Sequence, residues 1–224
     1  QIETQCVLEC VHRFDSGHLD QTGLSIKMCG IVGIISNEPA AAQAIEALKR
    51  LEYRGYDSSG VASLASDGKI ERLRAEGKLK NLAAKLTEHP LYGHIAIGHT
   101  RWATHGRPTE DNAHPHATER VAVVHNGIIE NFRELRAELE KEGVKFSSET
   151  DTEAVLHLVD RSLQKVNDPQ KAIAEILPRL KGAFALGFVF SGHDNLLIGA
   201  RQGAPLAVGH GEGEMYLGSD ALAL

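Results

Sequence analysis

The chain has 224 residues and a formal charge of −6, with 42% hydrophobic and 24% charged residues, the balance of an ordinary globular domain. A mildly acidic chain is a poor match to nucleic acid, which selects a basic face, and no apolar run approaches the roughly 20 residues of a membrane-spanning helix. Three cysteines, Cys6, Cys10 and Cys29, are too few for a disulfide framework and fit a reducing, cytoplasmic compartment.

Residues 1 to 27 do not begin with Met and show no helical or strand period. They lack the basic start, apolar centre and small-residue cleavage site of a secretory signal. The first 28 residues are expected to be a leader or upstream read-through outside the fold, with a propeptide removed before Cys29 as the third possibility. Cys6 and Cys10 have no second cysteine pair with which to hold zinc.

Residues 30 to 36 read as a buried strand. Asn37 is placed to cap a helix that runs through alanine-rich sequence to about Leu51, with Pro39 early in it, where a missing N–H is tolerated. Residues 60 to 66 and 69 to 75 flank Asp67-Gly68, a hairpin signal. A helix is expected from about Leu79 to Thr87, and an alternating strand over residues 94 to 99. Residues 101 to 119 are polar and rich in His, Pro and Thr, a long loop of the kind that carries function. Residues 121 to 125 form another strand. Asn131 with Glu134 resembles a capping box opening a helix that ends near Gly143. A second helix follows Asp151. Asp168-Pro169 opens a third, broken near Pro178. Short strands close the chain at 183 to 190, 195 to 200, 205 to 209 and 214 to 218. Strands in hairpins and helices in pairs predict an α+β fold, antiparallel sheet covered by helices.

Five groups of residues carry possible chemistry. Cys29 follows Met28 directly, and a methionine before a small residue is generally removed. Cys29 would then hold a thiol and a free α-amine, a nucleophile and its base in one residue. Such an amine has a pKa near ~7.7–8.0 and can take the thiol proton and return it to a leaving amine. A buried cysteine at the start of a strand is the plainer alternative. His125-Asn126-Gly127 ends a strand. It offers an amide side chain and a glycine N–H side by side, as an oxyanion site does, but Asn-Gly is also the commonest hairpin turn. Gly98 to Gly106 contains the only Trp, together with an Arg able to grip a carboxylate through two bonds. Asp151, in Glu149-Thr150-Asp151-Thr152-Glu153, can pair with a substrate ammonium or can serve as a helix cap. His114 and His116, with the other histidines, are a weak metal signal. No HExxH or second cysteine motif accompanies them, so no metal and no cofactor are expected.

Cys29-Gly30-Ile31-Val32-Gly33 resembles the start of the class II glutamine amidotransferases, which are N-terminal-nucleophile hydrolases. Leu51 to Gly60, Gly98 to Gly106, Asn112 to His116, Val124 to Asn131 and Ser148 to Glu153 resemble the glutamine–fructose-6-phosphate aminotransferase branch of that family. The phosphoribosyl branch shares Cys29-Gly30-Ile31 and Asn126-Gly127 but normally lacks the wording around Tyr53 and Trp102. The resemblance implies a four-layer α/β/β/α sandwich of two antiparallel sheets over residues 29 to 224, truncated at its C-terminus. It implies Cys29 as nucleophile, and Asn126 with the Gly127 N–H as oxyanion hole. Arg101, with Thr104 and His105 beside it, would hold the α-carboxylate of L-glutamine, and Asp151 its α-amine. Trp102 would gate ammonia, and Arg54 would order the site near Cys29. Family enzymes carry two further sugar-isomerase domains that bind fructose 6-phosphate and build most of a homodimer. No segment of these 224 residues is expected to supply those domains, so the expected reaction is hydrolysis of glutamine to glutamate and ammonia. While residues 1 to 28 stay attached, the Cys29 amine is an amide and cannot act as a base.

Overall fold

The structure, a computed structural model, describes residues 5–10, 29–103 and 107–224. Its strands are β1 (Gln5–Cys10), β2 (Gly30–Ile35), β3 (Ser58–Leu64), β4 (Ile70–Glu76), β5 (Ile95–Arg101), β6 (His116–Ala117), β7 (Val121–Gly127), β8 (Phe184–Phe190), β9 (Leu196–Gln202), β10 (Ala207–Gly211) and β11 (Glu214–Gly218). Its α-helices are α1 (Ala40–Lys49), α2 (Leu79–Glu88), α3 (Phe132–Lys141), α4 (Asp151–Val166) and α5 (Pro169–Ile176). One sheet has six strands in the order β10-β11-β2-β5-β3-β4, and the other has five in the order β1-β9-β8-β7-β6.

Strand alternation builds the layers. Successive side chains on a strand point to opposite faces. Val32 and Ile34 of β2 join Ala44, Leu48 and Leu82 in the core under α1 and α2. Ile31 and Ile35 join Ile97, Val124, Val189 and Leu197 between the two sheets. On β7, Val121 and Val123 face Val155 and Val159 of α4, while Ala122 and Val124 face the other sheet. The result is four layers, helix on sheet on sheet on helix, as the family resemblance implies. The sheets approach closely at Gly33, where an added Cβ would lie 2.8 Å from the Leu197 side chain.

Several local expectations change. Gln5–Cys10, expected to lie outside the fold, pairs in parallel with β9 from Gln5↔Leu196 to Cys10↔Arg201. The β9 edge presents unpaired N–H and C=O groups, which a further strand satisfies. This one parallel pair makes the five-stranded sheet mixed rather than wholly antiparallel. Asn37 does not cap α1; the helix opens after Pro39, and the Ala40 N–H donates to the Gly93 carbonyl at 2.9 Å. Asn131 precedes α3 without a capping bond. Its side chain instead ties the chain at the far side of α5, with Nδ2 to Arg179 O at 2.9 Å and Oδ1 from Lys181 N at 3.0 Å. Asp168 does cap α5, accepting from Lys171 N at 3.1 Å. The hairpin at Asp67-Gly68 forms as expected, with Gly68 at a φ of 82°.

Candidate active site

The same alternation that builds the core collects the site. Ile95 and Ile97 of β5 face inward between the sheets, so His99 and Arg101 continue that face. Ala122 and Val124 of β7 face inward, so Asn126 follows them. Cys29 continues the inward side of β2, one step before the Gly30↔Thr100 pair. Three strands therefore deliver a thiol, a guanidinium and a carboxamide to one end of the sandwich.

The contacts are specific. The Trp102 N–H donates to Cys29 Sγ at 3.2 Å. Asn126 Nδ2 donates to the Cys29 carbonyl at 2.9 Å, and Arg54 Nη1 reaches the same carbonyl at 3.4 Å. Arg54 is held in turn by an ion pair with Asp220, which also accepts from Tyr53 Oη at 2.7 Å. Asn126 and Gly127 do not form a turn. They belong to the β7–β8 ladder as Asn126↔Ala185 and Gly127↔Phe184. Gly127 has a φ of 109°, and a Cβ there would lie 2.1 Å from the Ala183 carbonyl oxygen. Only glycine fits that close approach.

Arg101 is 4% exposed and donates to the Arg107 carbonyl at 3.3 Å. Burial lowers its pKa, opposed by Asp57, Cys29 and Asp151, all close enough to favour its charge. Asp151 is the first residue of α4, after Thr150 in the cap position. Its Oδ2 accepts the Ile129 N–H at 2.8 Å, so the carboxylate leaves its own helix and reaches the segment after Gly127. Thr104 and His105 lie outside the described residues.

Burial pushes the Cys29 thiol up from its ordinary range, while the Trp102 N–H and the Arg101 charge draw it down. Asp57, to which sequence reasoning gave no role, acts as a staple. Its Oδ2 accepts from Ala103 N at 2.6 Å, and its own N–H donates to Arg101 O at 2.8 Å. It thereby fixes the turn that aims Trp102 N–H at the thiol.

Behind Asn126 lies a buried histidine network. His99 Nε2 contacts both His125 O and Asn126 Oδ1 at 2.9 Å. His125 Nδ1 and His114 Nε2 meet Thr152 Oγ1 at 3.0 and 3.1 Å. His116 Nε2 meets Thr150 Oγ1 at 2.9 Å. Among the described residues, no three His, Cys, Asp or Glu side chains are arranged to hold a metal ion. Burial holds His99 and His116 down to about 3, and His114 well below its usual range. The rings of His99, His114 and His116 are therefore neutral hydrogen-bonding groups at physiological pH. The sequence signal for them was the unusual histidine density of residues 94 to 125, but their partners lie on β7 and at the start of α4.

A four-layer sandwich that presents a cysteine at the head of an inner strand is the arrangement of N-terminal-nucleophile amidotransferases. Residues 99–224 match the glutamine amidotransferase domain family, and the chain belongs to that family. It is 68% identical over 198 residues to a glutamine–fructose-6-phosphate aminotransferase [isomerizing] of Bradyrhizobium diazoefficiens, covering 88% of this chain and 32% of that protein. It is 67% identical to the Brucella abortus protein of the same name over 197 residues, and 61% identical to that of Gluconobacter oxydans, with the same shares covered. The chain thus spans about a third of the length of these relatives. Among solved structures it resembles the glutamine phosphoribosylpyrophosphate amidotransferase of B. subtilis, with a TM-score of 0.74 and 28% identity over 87% of this chain and 42% of that one. A class-II glutamine aminotransferase domain protein from Silicibacter pomeroyi, at 16% identity and a TM-score of 0.60, shares the fold.

Proposed function

We propose that residues 29 to 224 form a glutaminase that works through a Cys29 thioester once the bond to Met28 is cut. The convergence of Cys29, Arg101, Asn126 and Asp151 at one end of the sandwich carries this reading. The freed α-amine takes the Cys29 thiol proton, and the thiolate attacks the side-chain carbonyl carbon of L-glutamine. The negative charge moves to the carbonyl oxygen, where the Asn126 Nδ2–H and the Gly127 N–H stabilise it. The tetrahedral intermediate collapses, the C–N bond breaks, and ammonia leaves with the proton held by the amine. Water, deprotonated by the same amine, then cleaves the thioester to glutamate. Arg101, with Thr104 and His105, binds the α-carboxylate, and Asp151 binds the α-ammonium; opposite charges at a fixed spacing select an α-amino acid. Arg54 holds the Cys29 carbonyl.

In the longer protein, the ammonia passes Trp102 to isomerase domains that convert fructose 6-phosphate to glucosamine 6-phosphate in the cytoplasm, with those domains forming the homodimer. The aminotransferase names of the relatives at 61 to 68% identity favour this over the phosphoribosyl branch, to which the likeness is 28%. Ammonia release from L-glutamine, absent with L-asparagine and with D-glutamine, tests the reading. Cys29→Ala is expected to abolish it; turnover by Cys29→Ala would refute the thioester route.

A further inference from the structure

An oxyanion hole built on a carboxamide has a weakness that one built on backbone N–H groups lacks. The Asn side chain can turn over, exchanging its NH2 donor for its oxygen, and the two ends are nearly equal in size. Asn126 needs its NH2 end toward Cys29. Something must hold it there.

We propose that His99 is a positioning residue for catalysis: its Nε2–H holds the Asn126 amide with its oxygen inward and its NH2 group toward Cys29. The inference rests on the glutaminase reading above and extends it to a residue that touches no substrate. The geometry fixes the direction of the bond. His99 Nε2 lies 2.9 Å from the His125 carbonyl oxygen, which can only accept, so Nε2 carries the proton. The same proton faces Asn126 Oδ1 at 2.9 Å. At the other end of the amide, Nδ2 donates to the Cys29 carbonyl at 2.9 Å and keeps a second hydrogen for the substrate oxygen. Turning the amide over would set its oxygen against the Cys29 carbonyl and its NH2 against the His99 N–H. Both contacts would become repulsive.

Three further observations make His99 a dedicated group. It is fully buried, and its Nδ1 has no hydrogen-bond partner among the described residues. A buried unsatisfied nitrogen is destabilising, and the hydrogen bonds the ring does make are all at its Nε2 edge. The His114 ring packs against it with centroids 4.4 Å apart, which limits its rotation. Burial keeps it neutral, and its pKa falls to about 3, so the proton on Nε2 does not depend on pH in the working range.

The test is a double-mutant cycle on protein starting at Cys29, obtained by expression from Met28. This piece keeps every residue named above in the three apolar clusters. His99→Leu is expected to lower kcat by about 100-fold while KM for glutamine changes less than about threefold. His99→Gln, which places an amide N–H near the Nε2 position, is expected to recover most of kcat. Glutamate γ-semialdehyde adds the Cys29 thiol across its carbonyl, and the new oxygen takes the proton. Its affinity should fall in the same proportion as kcat/KM, while affinity for the product glutamate holds. In an Asn126→Ala background, His99→Leu should have little further effect, because there is no amide left to orient. A kcat for His99→Leu within about threefold of the parent, or an undiminished loss in the Asn126→Ala background, would overturn the proposal. If His99→Leu does not fold, His99→Asn replaces it, since its shorter amide cannot reach Asn126, and the same criteria apply. A parent protein that releases no ammonia would defeat the glutaminase reading itself, and this inference with it. An active parent with an indifferent His99 defeats the inference alone.

Discussion

At Cys29 two influences oppose each other. Burial favours the neutral thiol, whereas the Trp102 N–H and Arg101 favour the thiolate. A thiol held protonated in the resting site needs a base at the moment of attack, and the α-amine of the same residue is the nearest one possible. On the proposed route, Asn126 and the Gly127 N–H would then set the rate as oxyanion donors. Asn126→Ala should lower kcat by about 10²–10³, or ~2.7–4 kcal/mol of barrier, with KM little changed, as read from steady-state ammonia release. The buried histidines have a separate consequence, for stability. His99 and His116 are held down to about 3, so the unfolded chain takes up protons near pH 6.5 that the folded chain refuses. The unfolded state then binds more protons, so stability is complete above about pH 6.5 and is lost as pH falls toward 3. For a histidine depressed this far, moving from pH 7 to pH 5 costs about 2 kcal/mol. Urea midpoints at the two pH values should show the drop, and His116→Gln, which keeps a group for Thr150, should reduce it. An equal drop in the variant would show that His116 is not among the groups responsible.

At the scale of elements, β7 carries most of the site because one strand shows two faces. Asn126 faces the thiol and His125 faces α4. Residues 121 to 125 were recognisable as a strand from their apolar run, but Asn126-Gly127 reads locally as a turn. The pairing with Ala185 and Phe184 overrides that local preference, and nothing near in sequence announces it. Arg101 likewise ends a strand rather than opening a loop, because β5 pairs it with Ser58 of β3. The histidine network was illegible for the same reason: His125 and His114 meet Thr152, 27 and 38 residues away. Gly127 tests the strand end directly. Gly127→Ala combines a left-handed φ with a Cβ 2.1 Å from a carbonyl oxygen, whereas Gly143→Ala has a φ of 91° and no atom within 4 Å. Gly143→Ala should cost about 1–3 kcal/mol through strain alone and leave turnover intact. Gly127→Ala should cost more by urea denaturation and should also depress kcat, since β7 must shift away from Ala183. Equal stability losses would show that the close approach adds nothing.

For the molecule as a whole, local patterns specify the layers that each helix and hairpin enters. The apolar run of β2 and the Asp67-Gly68 turn are readable because each depends on neighbours in sequence. That the layers stack as four, with the site at one end, came from the family resemblance, since no sequence period records which sheet faces which. Residues 1 to 28 differ again. They carry no strand period, yet Gln5–Cys10 completes the edge beside β9. In that sheet β9 and β8 stand between the edge and β7, so β1 makes no pairing with the strand that carries Asn126. The central claim is that Cys29 works only with a free amine. The direct measurement is ammonia release from L-glutamine by the 224-residue chain with residues 1 to 28 attached, beside the chain expressed from Met28, with each N-terminus read by mass spectrometry. Activity should appear only in molecules that begin at Cys29. Turnover by protein whose Met28–Cys29 bond is intact would contradict the account.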